Sequence, residues 1–343
     1  MEGSGSHATQ RNGWVWCAVA AVLFGAATPT TKLLVDNVGS VTLAGLLYLG
    51  AATAVAPIAL RERRSAATLR QRSRLLLAVG FGGGIAPVLL ILALDRTPAG
   101  TVSLFLNLEL VATAVIARVF LQEHIGRRAG LGIVIVVLGG VILAGASDAG
   151  VATGALLVAA TCVCWGIDNA ITASLDSYTP AQITLAKGVV AGSVNLILGL
   201  FLDGFPAAKF AVAALAIGAL GYGVSIAMWI TGARLVGAAR GQVIFALAPF
   251  VGAILAWPIN GDRLSATTFV AFAVSLAGVI VVGTAHHAHR HSHAAMAHAH
   301  PIDASDPHHE AEAIQVLSGN EHRHLAITHE HEHLPDIHHR HTH

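Results

Sequence analysis

Ten apolar segments follow one another along the chain, and each is long enough to cross a bilayer as a helix. A membrane-spanning helix needs about 20 mostly apolar residues, because the hydrocarbon core is about 30 Å thick. Only 11% of the residues are charged, whereas soluble domains carry about 25%. The sequence therefore predicts an all-α integral membrane protein with ten transmembrane helices. The predicted spans lie near residues 14–34, 40–60, 75–94, 98–120, 129–146, 153–173, 180–202, 211–233, 238–258 and 266–284.

Arginine is concentrated in the connections on one side of the predicted bundle. The connection at 61–74 contains six arginines, and the turns after the fourth and eighth spans add Arg127, Arg128 and Arg234. Arginine-rich loops stay in the cytoplasm during insertion, so these connections are predicted to be cytoplasmic. Ten spans then leave both termini in the cytoplasm, and residues 1–12 show no apolar stretch of a signal peptide. We expect a multi-pass protein of a bacterial inner (plasma) membrane.

The two halves of the apolar region resemble each other in sequence. The segment 97–125 aligns without a gap to a second segment that begins at 236, so that Ala99 falls on Ala238 and Glu123 on Asp262. We call this alignment the repeat register. Gly82 falls on Gly221 in the same register, and matches that share one register indicate an internal repeat.

The repeat divides the chain into an N-terminal segment, 1–12, two five-span repeats, 13–146 and 152–284, and a polar tail, 285–343. Because each repeat holds an odd number of spans, the second copy is inverted in the membrane. Inverted-topology repeats are typical of secondary transporters, whose substrate site lies near the bilayer midplane between the repeats.

Several motifs resemble the EamA-type, ten-helix members of the drug/metabolite transporter superfamily over residues 14–284. They are FGAATPTTK after the first span, LNLELVATAV with LQEHI in the first repeat, and LAPFVGAI with NGDRL in the second. The chain departs from the family pattern at Leu110, where the second repeat keeps Pro249, at Gln122 in place of a glycine, and at Asp262 in place of a glutamate. The resemblance implies transport of amino acids and their derivatives, drugs, or phosphorylated and nucleotide metabolites, by exchange or proton coupling. The sequence shows no phosphate loop, no nucleophile elbow and no ordered metal-ligand motif in the spans, so we expect no enzymatic activity.

Polar side chains inside the predicted spans are candidates for a substrate or proton path. Ionisable groups are costly in a bilayer and usually face a bundle interior or a water-filled path. Asp168 in the sixth span and Lys187 in the seventh are predicted to meet, because consecutive spans run antiparallel. Their pair is either a structural lock or the group that binds a charged substrate, and Glu109 is either a cargo or proton site or a buried carboxyl paired with a neighbouring helix. The predicted path residues are Asn107, Glu109, Asp168, Asn169, Lys187 and Asn195.

The tail at 285–343 is predicted to be disordered, cytoplasmic and metal-binding. It holds 18 of the 20 histidines in repeated His-x-His spacing, and imidazole is a ligand that suits nickel, cobalt and zinc. Two other interpretations are a purification tag, which would be an uninterrupted histidine run, and a tail that responds to pH near 6.5. The predicted metal ligands are His286, His287, His289, His291, His293, His298, His300, His308, His309, His322, His324, His329, His331, His333, His338, His339, His341 and His343.

These observations favour a secondary transporter that moves a small polar, amino-acid-like or drug-like metabolite by alternating access and has a metal-binding regulatory tail. The predicted spans contain no histidine, although a path for such metals should present imidazole or sulfur. Two alternatives stay open: a nickel, cobalt or zinc transporter whose tail gathers or delivers the ion, and a membrane-anchored metal store or sensor. We expect no required cofactor and, at a net charge of +1, no nucleic-acid partner. The expected partners are the lipid bilayer, a small-molecule substrate and divalent metal at the tail, and a homodimer stays open.

Overall fold

Within the part of the chain that the structure describes, ten helices are each long and apolar enough to cross a membrane. The prediction of ten helical spans is therefore confirmed. The computed structural model describes residues 3–62, 67–120, 125–145, 149–172, 175, 177–236, 238–263, 265–284, 288–293, 296–299, 314–318, 321–324 and 327–332. The helices are α1 (Gly3–Lys32), α2 (Ser40–Ala59), α3 (Leu69–Arg96), α4 (Ala99–Phe120), α5 (Arg127–Gly145), α6 (Ala149–Thr172), α7 (Pro180–Asp203), α8 (208–236), α9 (238–260) and α10 (Ala266–Gly283).

Two of these helices are discontinuous at equivalent places in the two repeats. The break in α4 lies at residues 106–107 and the break in α9 at residues 246–247, and residue 107 falls on residue 246 in the repeat register. Discontinuous helices near the midplane are a recurrent feature of transporters built from inverted repeats. The helical pieces are Ala99–Phe105 and Leu108–Phe120 in α4, and Ala238–Phe245 and Ala248–Asn260 in α9.

Three helices contain a π-helical segment, at Val79–Ile85 in α3, Lys187–Ala191 in α7 and Ala219–Val224 in α8. The segments of α3 and α8 correspond to each other in the repeat register. A π turn departs from the i→i−4 ladder of an α-helix, so nearby carbonyls become available to donors from other helices.

The helix α3 begins at Leu69, earlier than the predicted start near residue 75. A capping box fixes this start, because the Thr68 hydroxyl accepts from Gln71 N while the Gln71 side chain accepts from Thr68 N. Such reciprocal bonds satisfy the free amides of a first helical turn. The helix therefore includes three of the six arginines, Arg70, Arg72 and Arg74.

Glycines let neighbouring helices approach closely. A methyl group at Gly199 of α7 would collide with Thr42 of α2, and one at Gly139 of α5 would collide with Ser275 of α10. Without a hydrophobic drive between helices in lipid, this close backbone packing supplies much of the association energy. It joins α2 to α7 and α5 to α10.

The two halves of α4 differ in burial. We call the side with the arginine-rich connections the arginine-rich side, and the other the opposite side. In α4, six of the seven residues of Ala99–Phe105, which lies on the opposite side, are buried, whereas none of Leu108–Phe120 is. In α9, Ala248–Asn260 toward the opposite side contains five buried residues, and Gly241 on the arginine-rich side is also buried.

Hydrogen bonds between helices tie the opposite side together. The carboxylate Oδ2 of Asp262, just after α9, accepts from Gly100 N of α4 at 2.7 Å. The amide Nδ2 of Asn260 donates to Pro29 O of α1 at 3.0 Å. The ends of α1, α4 and α9 are thus joined on the opposite side.

The residues Thr284–His343 form a second compact unit. The sequence predicted disorder here, whereas the structure describes short antiparallel strands, with β1 paired to β5 and β4 between β2 and β3. The difference has a physical basis, because the His-x-His alternation has the two-residue period of a strand. The strands are β1 (Ala288–His293), β2 (Met296–Ala299), β3 (Ile314–Ser318), β4 (Glu321–His324) and β5 (Ile327–Glu332).

Candidate functional site

A buried ion pair links α6 to α7. The ammonium Nζ of Lys187 donates to Asp168 Oδ2 at 2.6 Å, and Thr172 Oγ1 donates to Asp168 Oδ1 at 3.1 Å. The side chains of Lys187 and Asp168 are 15% and 8% exposed. The structure thus brings together the two oppositely charged residues of the predicted path, with Lys187 at the start of the α7 π segment.

A second polar contact lies next to this pair and joins α6 to α4. The amide Nδ2 of Asn169 donates to Glu109 Oε1 at 3.0 Å and to Thr113 Oγ1 at 3.3 Å. Glu109 occupies the first turn after the break in α4, where the positive end of the helix dipole favours a carboxylate. Because Asp168 and Asn169 are adjacent, α6 presents one polar group toward α7 and the next toward α4.

Donors from three helices bind the carbonyls of the α3 π segment. Tyr48 Oη of α2 donates to Gly82 O at 2.6 Å, Trp165 Nε1 of α6 donates to the same oxygen at 3.1 Å, and Asn195 Nδ2 of α7 donates to Gly84 O at 3.0 Å. The carbonyls of this segment are thereby paired in a medium that offers them no water.

The glycines of this segment also adjoin the ion pair. A methyl group at Gly82 would collide with the Asp168 carboxylate. One at Gly83 would meet Lys187 Cβ and Tyr48 Cε1, each at 3.3 Å. The π segment of α3 therefore forms the backbone surface against which Asp168, Lys187 and Tyr48 lie.

Two of the predicted path residues use their amides to bind backbone. Asn195 donates to the α3 segment, and Asn107 Nδ2 donates to Leu104 O at 2.9 Å within its own helix, at the α4 break. Both side chains are buried. The structure therefore places Glu109, Asp168, Asn169 and Lys187 in two adjoining contacts, whereas Asn107 and Asn195 stabilise irregular helix.

An aromatic cluster continues from the ion pair toward α1, α8 and α9. The Tyr48 ring lies 6.0 Å from the Tyr222 ring, Phe24 packs edge-on against Tyr222 at 5.6 Å, and Phe245 lies 5.1 Å from Phe24. Trp229 lies 6.0 Å from Phe245. The Trp229 indole N–H is buried and has no acceptor within the described residues. Tyr48 thus connects a charged region to an aromatic one.

Sequence reasoning missed Tyr48, Trp165 and Tyr222. An aromatic residue in an apolar span is ordinarily a packing residue, so its type alone identifies no site. One signal was present for Trp165: Trp165-Gly166 matches Phe24-Gly25 when the alignment is shifted by two residues from the repeat register. Phe24 belongs to the aromatic cluster and Trp165 donates to Gly82 O.

Metal ligation is not visible in the described part of the chain. Its described residues contain no group of three or more histidine, cysteine, aspartate or glutamate side chains placed to hold a metal ion. Eight of the predicted histidine ligands lie on the strands of the tail, and the other ten lie outside the described residues. The metal-binding tail therefore stays a prediction.

Comparison with known proteins matches one family model twice along the helical part of the chain. The EamA-like transporter family matches the chain twice, at residues 11–145 and 152–284. These two matches cover most of its length. The chain belongs to the EamA-like transporter family.

Further similarities agree with this family. The chain is 26% identical to a protein described as an uncharacterized transporter from Methanothermobacter thermautotrophicus, over 79% of this chain and 85% of that protein. It also resembles a crystal structure with a TM-score of 0.54 and 17% identity, over 81% of this chain and 98% of the other. The second likeness concerns the fold alone.

Membership of the EamA-like family makes this chain a multi-pass membrane transporter, which acts within a lipid bilayer on a small molecule and is not an enzyme. The charged residues of the candidate site have no charged counterpart in the other EamA repeat. In the repeat register, Glu109 falls on Ala248 and Lys187 falls on Tyr48. The polar contacts thus break the symmetry of the two repeats.

Proposed function

We propose that this EamA-family transporter moves a small polar metabolite that carries both an anionic and a cationic group, amino-acid-like or drug-like, by alternating access. The observation that carries the proposal is the buried Lys187–Asp168 pair, at 2.6 Å, beside Tyr48 and the aromatic cluster. A substrate of this class replaces the pair partner by partner, since its anion binds Lys187 and its ammonium binds Asp168. Neither buried charge is then left uncompensated, a state that costs about 3–5 kcal/mol.

The aromatic cluster suggests where the rest of the substrate lies. Tyr222, Phe24 and Phe245 offer ring faces and edges to an apolar or aromatic body. The unpaired Trp229 indole N–H offers a donor to an acceptor on that body. A mostly apolar pocket with few polar groups at one end is the usual form of a small-molecule site.

The packing suggests the state that the structure represents. The opposite side is closed by Asp262 and Asn260, while the arginine-rich half of α4 has no buried residue. Arginine-rich connections face the cytoplasm, so we propose that the site is closed to the outside and loosely packed toward the cytoplasm. The proposed location is a bacterial inner membrane with both termini in the cytoplasm.

Uptake by reconstituted proteoliposomes tests the proposal. A panel of labelled amino acids and zwitterionic drugs is presented to the wild type, Asp168→Asn and Lys187→Met, with Asp95→Asn as the control because Asp95 pairs with Arg96 at an exposed position. We expect at least tenfold slower uptake of one panel member in both site variants and wild-type uptake in the control. Wild-type uptake by both site variants would contradict the proposal.

We also propose that the tail binds nickel, cobalt or zinc and regulates transport. The strand register favours this proposal, because it sets His289 opposite His331 and His291 opposite His329 in the β1–β5 pair. Metal content after dialysis, measured by mass spectrometry, should fall to background when residues 285–343 are deleted. Equal metal content with and without the tail would contradict it. Metal uptake by the protein without residues 285–343 would instead favour the metal-transporter alternative. Metal binding by the full chain without uptake of any organic substrate would favour the metal store or sensor.

A further inference from the structure

A cavity of about 500 Å³ lies between the arginine-rich ends of α2, α3 and α7. One wall is apolar and includes Leu75 of α3 together with Val189 and Val190 of α7. The other wall is polar and includes Arg72 of α3 and Tyr178, which precedes α7. This cavity is separate from the ion pair and the aromatic cluster, whose residues do not line it.

The apolar wall faces the surroundings of the bundle. Val189 and Val190 are 47% and 44% exposed, whereas Gly188 and Ala191 of the same π segment are buried against the bundle. In a membrane the exposed side of a spanning helix meets acyl chains. The cavity is therefore open toward lipid at the level where α3 and α7 begin.

The polar wall is held in place by hydrogen bonds at two helix starts. Thr68 and Gln71 form the capping box of α3, and the Ser177 hydroxyl donates to Gln71 Oε1 at 2.7 Å. A second capping box, between Thr179 and Gln182, fixes the start of α7. The rim of the cavity thus includes two capped helix starts, and a hydrogen bond joins Ser177 to the first of them.

The Arg72 guanidinium is the charged group of this wall. It is exposed and forms no ion pair within the described part of the chain. Its planar donors match the oxygens of a phosphate in bidentate geometry. A cation beside an apolar wall at the membrane surface has the complementary chemistry of an anionic phospholipid.

We propose that this cavity is a binding site for an anionic phospholipid of the arginine-rich leaflet. The lipid phosphate binds Arg72, Tyr178 lies at the headgroup, and the start of an acyl chain packs along Leu75, Val189 and Val190. The apolar wall is the reason for assigning a lipid and not a free phosphate, because an inorganic anion leaves that wall uncovered.

Native mass spectrometry of the delipidated full-length protein in detergent tests this site. The probes are phosphatidylglycerol, phosphatidylcholine with the same acyl chains, and sodium phosphate. We expect phosphatidylglycerol to bind at least tenfold more tightly than phosphatidylcholine, and millimolar phosphate to leave that binding unchanged. The variant Arg72→Gln should lose at least fivefold in phosphatidylglycerol affinity. It should lose less in phosphatidylcholine affinity, because the choline of that lipid already offsets the charge of its phosphate.

Two further variants keep the test sharp. Arg70→Gln removes an arginine from the same turn that does not line the cavity, so it should bind phosphatidylglycerol as the wild type does. Val190→Trp, checked for a monodisperse elution profile, fills the apolar wall and should weaken binding of both lipids. Equal losses in Arg70→Gln and Arg72→Gln, wild-type affinity in Arg72→Gln, or full displacement by phosphate would each overturn the proposal.

Discussion

At the scale of single residues, Asp168 and Lys187 decide the character of the site. Both side chains are largely buried, and they form an ion pair with each other. Two roles fit this geometry: a lock that only holds α6 to α7, and a pair that opens to accept a substrate. The double variant Asp168→Asn with Lys187→Met distinguishes the two roles. Without its charges a structural lock can still pack and the protein can still transport, whereas a substrate site can no longer bind a charged substrate.

The first prediction separates these roles. Lys187→Met alone leaves the Asp168 carboxylate without its partner, which should destabilise the protein by about 3–5 kcal/mol. Adding Asp168→Asn removes that charge and should restore most of the loss. Thermal unfolding in detergent measures both effects, with Asp95→Asn as the control. A double variant that is stable and still transports would identify a structural lock, whereas a stable double variant without transport supports the substrate site.

At the scale of elements, the π segment of α3 and its three donors organise the centre of the bundle. Tyr48, Trp165 and Asn195 come from three different helices and bind carbonyls within one short stretch of α3, at Gly82 and Gly84. The irregular helix is therefore held by the same packing that places Asp168 and Lys187 against it. Removing one of these three donors should therefore lower the stability of the protein.

The second prediction tests this junction. Asn195→Leu keeps a side chain that branches at Cγ and leaves Gly84 O without its donor, and an unsatisfied buried carbonyl costs about 1–3 kcal/mol. Thr184→Val is the matched control on α7, because the Thr184 hydroxyl donates to Pro180 O within its own helix. The melting temperature of Asn195→Leu should fall clearly below that of the control. Equal melting temperatures would mean that another donor reaches the carbonyl.

The elements differ in how far the sequence predicts them. The ten spans and the repeat follow from apolar length and register, and the structure confirms all ten helices. A π turn or a helix break leaves hydropathy almost unchanged, so the irregular segments could not be found that way. Asn107 and Asn195 were predicted as path residues because a sequence reveals a polar side chain in a span but not the backbone carbonyl to which it donates. The Asp168–Lys187 contact was predictable, since consecutive antiparallel spans bring equal depths together.

At the scale of the whole molecule, the closure of the opposite side has a counterpart in the repeat. Asp262 Oδ2 accepts from Gly100 N at 2.7 Å and so caps the start of α4 from the end of α9. In the repeat register, Asp262 falls on Glu123 and Gly100 falls on Ala239. In transporters built from inverted repeats, alternating access moves one repeat against the other around the site. We expect each copy to take up, in the second state, the conformation that its counterpart has in the first. In the other state, Glu123, which lies outside the described residues here, should therefore cap Ala239 N on the arginine-rich side while Asp262 releases Gly100.

The third prediction follows from this exchange. Removing a capping carboxylate costs about 1 kcal/mol, which corresponds to roughly a fivefold shift between two states. Asp262→Ala should therefore raise the fraction open on the opposite side about fivefold. The measurement uses Ser103→Cys in a background without the native cysteines, because Ser103 of α4 is buried against Gly252 of α9. An impermeant thiol reagent is added to the opposite side, and the rate of labelling reports how often that side opens. Asp95→Ala, an exposed carboxylate near the same side, should label at the reference rate.

The counterpart residue supplies the decisive comparison. If Glu123 holds the other state closed, then Glu123→Ala destabilises that state, and its addition to Asp262→Ala should return the labelling rate of Cys at position 103 toward the reference. A purely local role for Asp262, such as fixing the turn after α9, predicts no effect of Glu123, because in the sequence Glu123 belongs to the connection between α4 and α5. If the double variant labels as fast as Asp262→Ala alone, the exchange is rejected. If Glu123→Ala instead lowers the labelling rate, the two equivalent carboxylates stabilise opposite states, as expected of two repeats that move as alternating halves.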